Sequence, residues 1–65
     1  MKIYIVWENY RDKGNYIRGI FKKKSEAKEV AERLDEENKK NDHIDFDVAE
    51  YTVGKEYKDY FYNGY

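Results

Sequence analysis

His43, Asp45 and Asp47 alternate along the chain, so in an extended strand all three project from one face. An imidazole with two carboxylates at that spacing is a ligand set for a divalent cation. Three ligands on one strand need a fourth from elsewhere to close around an ion. The simpler expectation is a solvated strand face opposite Ile44, Phe46 and Val48. Lys22, Lys23 and Lys24 form a second grouping, placed where a helix begins and backbone N–H groups draw phosphate. With Tyr4 and Tyr16 on neighbouring strands, they would suit single-stranded RNA stacked on a sheet. The ordinary alternative is a solubilising turn that keeps a sheet edge from pairing. Charge favours that alternative, because residues 41–65 carry two basic and six acidic groups, net −4.

Carboxylates are plentiful, as in Asp35-Glu36-Glu37 and Asp45/Asp47. To act as acid and base they need a cleft that separates two pKa values. A chain of 65 residues with one helix has little room for a cleft. Ser25, Thr52 and His43 are each the single residue of their type, and Cys is absent. Nucleophilic triads therefore have almost nothing to be built from. The expectation is a protein that is not an enzyme and carries no cofactor or metal.

The aromatic residues say more. The sequence holds 8 Tyr, 3 Phe and 1 Trp, and five of these fall at Tyr57, Tyr60, Phe61, Tyr62 and Tyr65. Tyr and Trp bury large area at low entropy cost and keep a polar tip, which suits interfaces. These five, with Tyr4, are the candidate partner-binding residues. The competing reading has the same segment fold back over its own sheet.

The elements that would position these groups follow from periodicity. Residues 2–7 alternate as a strand, with Ile3, Ile5 and Trp7 on one face and Tyr4 and Val6 on the other. Apolar groups on both faces predict a central strand covered on both sides. Residues 9–15 read as the loop of a long hairpin, and 16–21 as its second strand. Gly19 inside that strand marks a bulge or a close backbone approach, expected from the helix. Ala27, Val30, Ala31 and Leu34 recur at helical spacing and predict a helix over 24–40. Ser25 is its N-cap candidate, with Lys23 the alternative. Glu29/Arg33 and Glu36/Lys40 are its expected ion pairs. Residues 44–53 read as a third strand whose pattern shifts after Val48, predicting a β-bulge near Ala49-Glu50.

The order ββαβ with a right-handed crossover predicts an α+β fold. Its sheet is three-stranded and antiparallel in order 2-1-3, with one helix on one face and an aromatic C-terminal tail. Tyr4 and Val6 are expected on the face the helix leaves open. The whole chain reads as a single small domain over 1–65, with a core at 1–53 and the tail at 54–65. Apolar burial contributes on the order of 100 kcal/mol in a chain this short. Ordering it at about 1.5 kcal/mol per residue costs nearly the same. A monomer lacking cover for its second sheet face should be marginal.

Thirteen basic and fourteen acidic residues nearly cancel, and mean hydropathy is −1.20. The 18% aromatic content argues against disorder, since disordered chains are poor in aromatics. No apolar run approaches the ~20 residues of a membrane span. The apolar start is too short for a signal peptide, so a cytoplasmic protein is expected.

Several segments carry a family likeness. They are Lys2-Ile3-Tyr4-Ile5-Val6-Trp7, Arg18-Gly19-Ile20-Phe21, Ser25-Glu26-Ala27 running into Glu32-Arg33-Leu34, Phe46 to Val53, and Phe61-Tyr62-Asn63-Gly64-Tyr65. Their succession resembles a family of small uncharacterised bacterial and phage proteins. Those proteins share a strand-hairpin-helix-strand core and an aromatic-x-x-Gly-aromatic C-terminus. The triple Lys departs from that family, which often has Ser at positions 22 and 23. The resemblance implies the fold and assigns no activity. It adds one expectation, that a protein of phage or mobile-element origin modulates or inhibits a host protein. The functional expectation is thus a small interaction module binding another protein or a second copy of itself. The alternative is a nucleic-acid-binding module using Lys22–Lys24 and sheet tyrosines.

Overall fold

A computed structural model describes residues 1–56. The candidate residues Tyr57, Tyr60, Phe61, Tyr62 and Tyr65 lie outside the described residues. Four elements follow in order: β1 (Lys2–Tyr10), β2 (Gly14–Phe21), α1 (Lys24–Glu37) and β3 (Ile44–Thr52). The sheet is antiparallel with order β2-β1-β3, and the helix packs on one face. This is the ββαβ arrangement expected from the periodicity.

The hairpin is tighter than its sequence suggests. Asn9 pairs with Asn15 and Tyr10 with Gly14, leaving only residues 11–13 as the connection. Gly14 takes φ +97°, a conformation that side chains disfavour. Of the seven residues expected as loop, Asn9, Tyr10, Gly14 and Asn15 are therefore ladder residues at the hairpin end.

Paired residues on antiparallel strands share a face. The β1–β3 ladder runs without interruption from Lys2–Thr52 to Tyr10–Ile44. The bulge expected near Ala49-Glu50 is absent from it. Instead β3 changes its apolar face part-way: Ile44, Phe46 and Val48 face the helix side, while Ala49 and Tyr51 face away. The bulge lies in β2, where Val6 pairs with Gly19 and Trp7 with Ile17, so Arg18 is the extra residue. Ile17 and Ile20 are three apart and would otherwise face opposite ways. The bulge turns both to one side. The close neighbour of Gly19 is the Phe21 ring rather than the helix backbone.

Val6, Ala27, Ala31 and Leu34 form the buried core. Tyr4, Phe21, Val30, Phe46 and Val48 pack around it. Small alanines on α1 let the helix approach the sheet closely above Val6, and the larger rings fill the flanks. Lys23 is the N-cap in extended conformation, with no side-chain cap hydrogen bond, so Ser25 lies inside the first turn. The helix ends at Glu37, where the Asn38 side chain donates to the Leu34 carbonyl at 2.8 Å. Its ion pairs are Arg33–Glu37 and Glu36–Lys39 rather than the two expected. Both are exposed and contribute little.

One charged pair is different. Glu8 is 6% exposed, at the hairpin end of the helix-side face. Its carboxylate accepts hydrogen bonds from Arg18 of the bulge and from the Tyr10 hydroxyl. Burial opposes its ionisation, but these two partners outweigh burial and hold the carboxyl below its ordinary value of 4.5. A depressed folded pKa gives stability that is present above the unfolded value and lost as pH falls through the folded one. Melting temperature should therefore drop on acidification below about pH 4.5. In Glu8→Gln the drop should be shallower. Equal acid sensitivity in the two proteins would show that other carboxylates govern it.

Candidate interaction face

The helix covers one face of the sheet and leaves the other without cover among the described residues. That open face takes Ile3, Ile5 and Trp7 from β1, Ile17 and Ile20 from β2, and Ala49 and Tyr51 from β3. Ile17 is 50% exposed and Ile20 58%. Val53, 53% exposed, extends the row through a 2.8 Å bond from its N–H to the Met1 carbonyl. The polar end of the face holds Asn9, Asn15, Asp45 and Asp47. There Asn9 donates to Asp47 at 2.7 Å, and the Asn9 side chain is almost fully buried. No Lys or Arg shares the paired positions of this face.

The assignment of β1 faces is the reverse of expectation. Tyr4 and Val6 point to the helix, and Val6 is fully buried there. Ile3, Ile5 and Trp7 face the side away from the helix, each partly buried. The reason is register: β3 places Phe46 and Val48 beside Glu8 and Val6, so the apolar half of β3 and the even positions of β1 meet the helix together. Tyr4 is accordingly a packing residue at the rim of the core. It also lines a groove of about 350 Å³ with Lys24, Lys28, Phe46 and Val48.

Lys22, Lys23 and Lys24 are all exposed at the start of α1. The tyrosines proposed to stack with them do not form one platform. Tyr4 pairs with Phe21 and Tyr16 pairs with Glu8, four positions apart along β1. That is roughly 13 Å of strand. Tyr16 instead packs edge-on against Tyr10, with ring centroids 5.5 Å apart. His43 precedes β3, and its carbonyl accepts from the Arg11 N–H at 3.1 Å. Asp47 is engaged by Asn9. Among the described residues no group of three or more His, Cys, Asp or Glu side chains is placed to hold a metal ion.

A family model described as a domain of unknown function, DUF7336, matches residues 1–61. The chain belongs to the DUF7336 family. Comparison with curated proteins gives no match, and comparison with solved structures gives none. The DUF7336 match does not stop with β3. It runs beyond Glu56 to Phe61, so Tyr57, Tyr60 and Phe61 fall within the family's domain. Among the described residues no helix is long and apolar enough to cross a membrane.

The sequence pattern missed Ile17 and Ile20 as site residues. Their odd spacing hid them, and only a bulge at Arg18-Gly19 brings them together. The signal was present in Gly19, which had already raised a bulge in β2.

Proposed function

We propose that this DUF7336 domain is a non-catalytic protein-interaction module of the cytoplasm that engages a partner protein through the open face of its sheet. The observation that carries this reading is the row Ile3, Ile5, Trp7, Ile17, Ile20 and Tyr51, apolar and partly exposed, on a face whose charges are Asp45 and Asp47. An apolar centre with a polar margin is how protein interfaces are built. The resemblance to small bacterial and phage proteins supports a modulator or inhibitor of a host protein.

The nucleic-acid alternative loses support on this face. Its acidic end would repel a phosphate backbone, and the three lysines lie at the helix start. A photo-crosslinking residue at Ile20, with a control at exposed Glu29, tests the reading in the native host. A protein adduct should form at position 20 and not at 29, and Ile17→Asp should abolish it. Capture should survive a rise from 50 to 200 mM salt. Binding through three lysines to single-stranded nucleic acid would weaken about 20-fold over that range. Equal adducts at both positions, or adducts that disappear with nuclease, would overturn the proposal.

A further inference from the structure

β3 is an outer strand of the sheet, and among the described residues only β1 pairs with it. Two hydrogen bonds fix which of its backbone groups point outward. The His43 carbonyl accepts from the Arg11 N–H, and the Val53 N–H donates to the Met1 carbonyl. Bonded pairs alternate along an antiparallel ladder, and the ladder between these two bonds is uninterrupted. The odd positions of β3 therefore bond β1 throughout. Phe46, Val48 and Glu50 turn their N–H and C=O groups away from the sheet, where no strand meets them among the described residues. β2, the other edge, is broken by its bulge at Arg18, a feature that blunts edge pairing. Ile44–Thr52 has no bulge, no Pro, no Gly and no Lys.

A groove runs along this edge between β3 and α1. The hollow of about 350 Å³ beside Tyr4 continues into one of about 340 Å³ bounded by Asp35 and Asp45, and the two share Ala31, Glu32 and Phe46. Ala31, Phe46 and Val48 make its middle apolar. Lys24 and Lys28 flank one end, and Asp35 and Asp45 the other, with Glu32 between. Glu50 at the lysine end is paired with Lys2 at 3.1 Å, so that end is net positive. Among the described residues Lys24, Lys28, Glu32 and Asp35 enter no ion pair.

We propose that this edge takes an extended segment of another protein as a fourth strand, apolar at alternate positions, with an acidic residue toward Lys24 and Lys28 and a basic one toward Asp35 and Asp45. This is strand addition: main-chain bonds hold the segment, and the groove reads alternate side chains. It is a second surface, separate from the open face. Lys24 to Asp35 spans about 16 Å of helix, and Asp45 to Glu50 about 17 Å of strand, so both walls match the same short segment. Antiparallel pairing, the more stable kind per residue, starts the segment at Glu50 and ends it near Asp45, so its acidic residue precedes its basic one. A second copy is the poorer occupant. β3 bears Asp45, Asp47 and Glu50 and no basic residue. Two copies edge to edge would set these carboxylates against the same ones, which is destabilising.

The probe is an acetylated, amidated heptapeptide, Glu-Thr-Val-Thr-Ile-Thr-Lys, added to the full chain. The amide signals of Phe46, Val48 and Glu50 should shift on titration, and their hydrogen exchange should slow several-fold at saturation. Those of Ile17 and Ile20 should stay in place. Methylating the Val and Ile nitrogens of the peptide should abolish binding, because these N–H groups would face β3. The charge-reversed peptide, Lys-Thr-Val-Thr-Ile-Thr-Glu, should bind several-fold more weakly, and a Lys24→Glu, Lys28→Glu variant should reverse that preference. Both lysines are exposed, and acidic residues suit the first turns of a helix, so the variant should fold. Shifts absent at millimolar peptide, or confined to Ile17 and Ile20, would overturn the proposal. Equal binding of the two peptides would do the same. So would Phe46 and Val48 amides that already exchange slowly without peptide: if unchanged on dilution, the chain covers its own edge, and if lost on dilution, a second copy does. The open-face reading is judged separately, by the adduct at Ile20.

Discussion

Leu34→Ala should destabilise the domain by about 2–5 kcal/mol, the range for truncating a buried leucine. Leu34 is the single leucine of the chain and is 6% exposed between α1 and the sheet. It shares the core with Val6 and two alanines, so it supplies most of the apolar volume that the helix contributes. A 65-residue domain typically holds roughly 3–10 kcal/mol in total, so this one change removes a large share. At about 4–8 °C per kcal/mol for a domain this small, the melting temperature should fall by roughly 10 °C or more. Two controls frame the result. Leu34→Met keeps the volume and should cost less than about 1.5 kcal/mol. Glu29→Ala, on the solvent side of α1, should stay within about 0.5 kcal/mol. A Leu34→Ala melt within a degree or two of the unaltered chain would mean that the helix presents another face to the sheet.

The helix stripe was legible because one signal sufficed. Ala27, Val30, Ala31 and Leu34 recur at 3.6-residue spacing, and no other helical face offers apolar groups. Strand order was legible for a related reason, since β1 is apolar on both sides and only a central strand gains from that. The failures share a physical origin. Which face of β1 meets the helix depends on register, and register between β1 and β3 is set by pairing across 38 residues, as between Asn9 and Asp47. Local alternation cannot encode it. A shift in the apolar pattern of β3 has two solutions, a bulge or a strand that serves both faces in turn, and the uninterrupted ladder takes the second. In β2 the same kind of shift is solved by a bulge, and there the cue was Gly19. The candidate site followed these errors. Alternation alone puts Tyr4 on the face away from the helix, whereas the β1 and β2 residues there are the isoleucines and Trp7.

Gly19 ties the bulge to the core, and it should be nearly intolerant of a side chain. Its φ is unexceptional, so backbone freedom is not the reason. A Cβ at this position would sit 2.6 Å from Phe21 Cε2 and 2.9 Å from Cζ, far inside van der Waals contact. Phe21 could yield only by moving a ring that packs against the buried core cluster. Replacing glycine in a strand with alanine would otherwise gain about 0.5–1 kcal/mol through lost freedom in the unfolded chain. Overpacking costs about 1–3 kcal/mol, so the net expectation for Gly19→Ala is destabilisation, and Gly19→Val should be worse. The cause can be isolated by a double-mutant cycle. Phe21→Leu shortens the side chain and removes the atoms nearest the new Cβ. In that background Gly19→Ala should become neutral or stabilising, with a coupling of about 0.5–3 kcal/mol. Denaturant melts of the four proteins give the result directly. An equal cost for Gly19→Ala in both backgrounds would show that the glycine is required by the bulge backbone itself, and that the ring of Phe21 merely lies nearby.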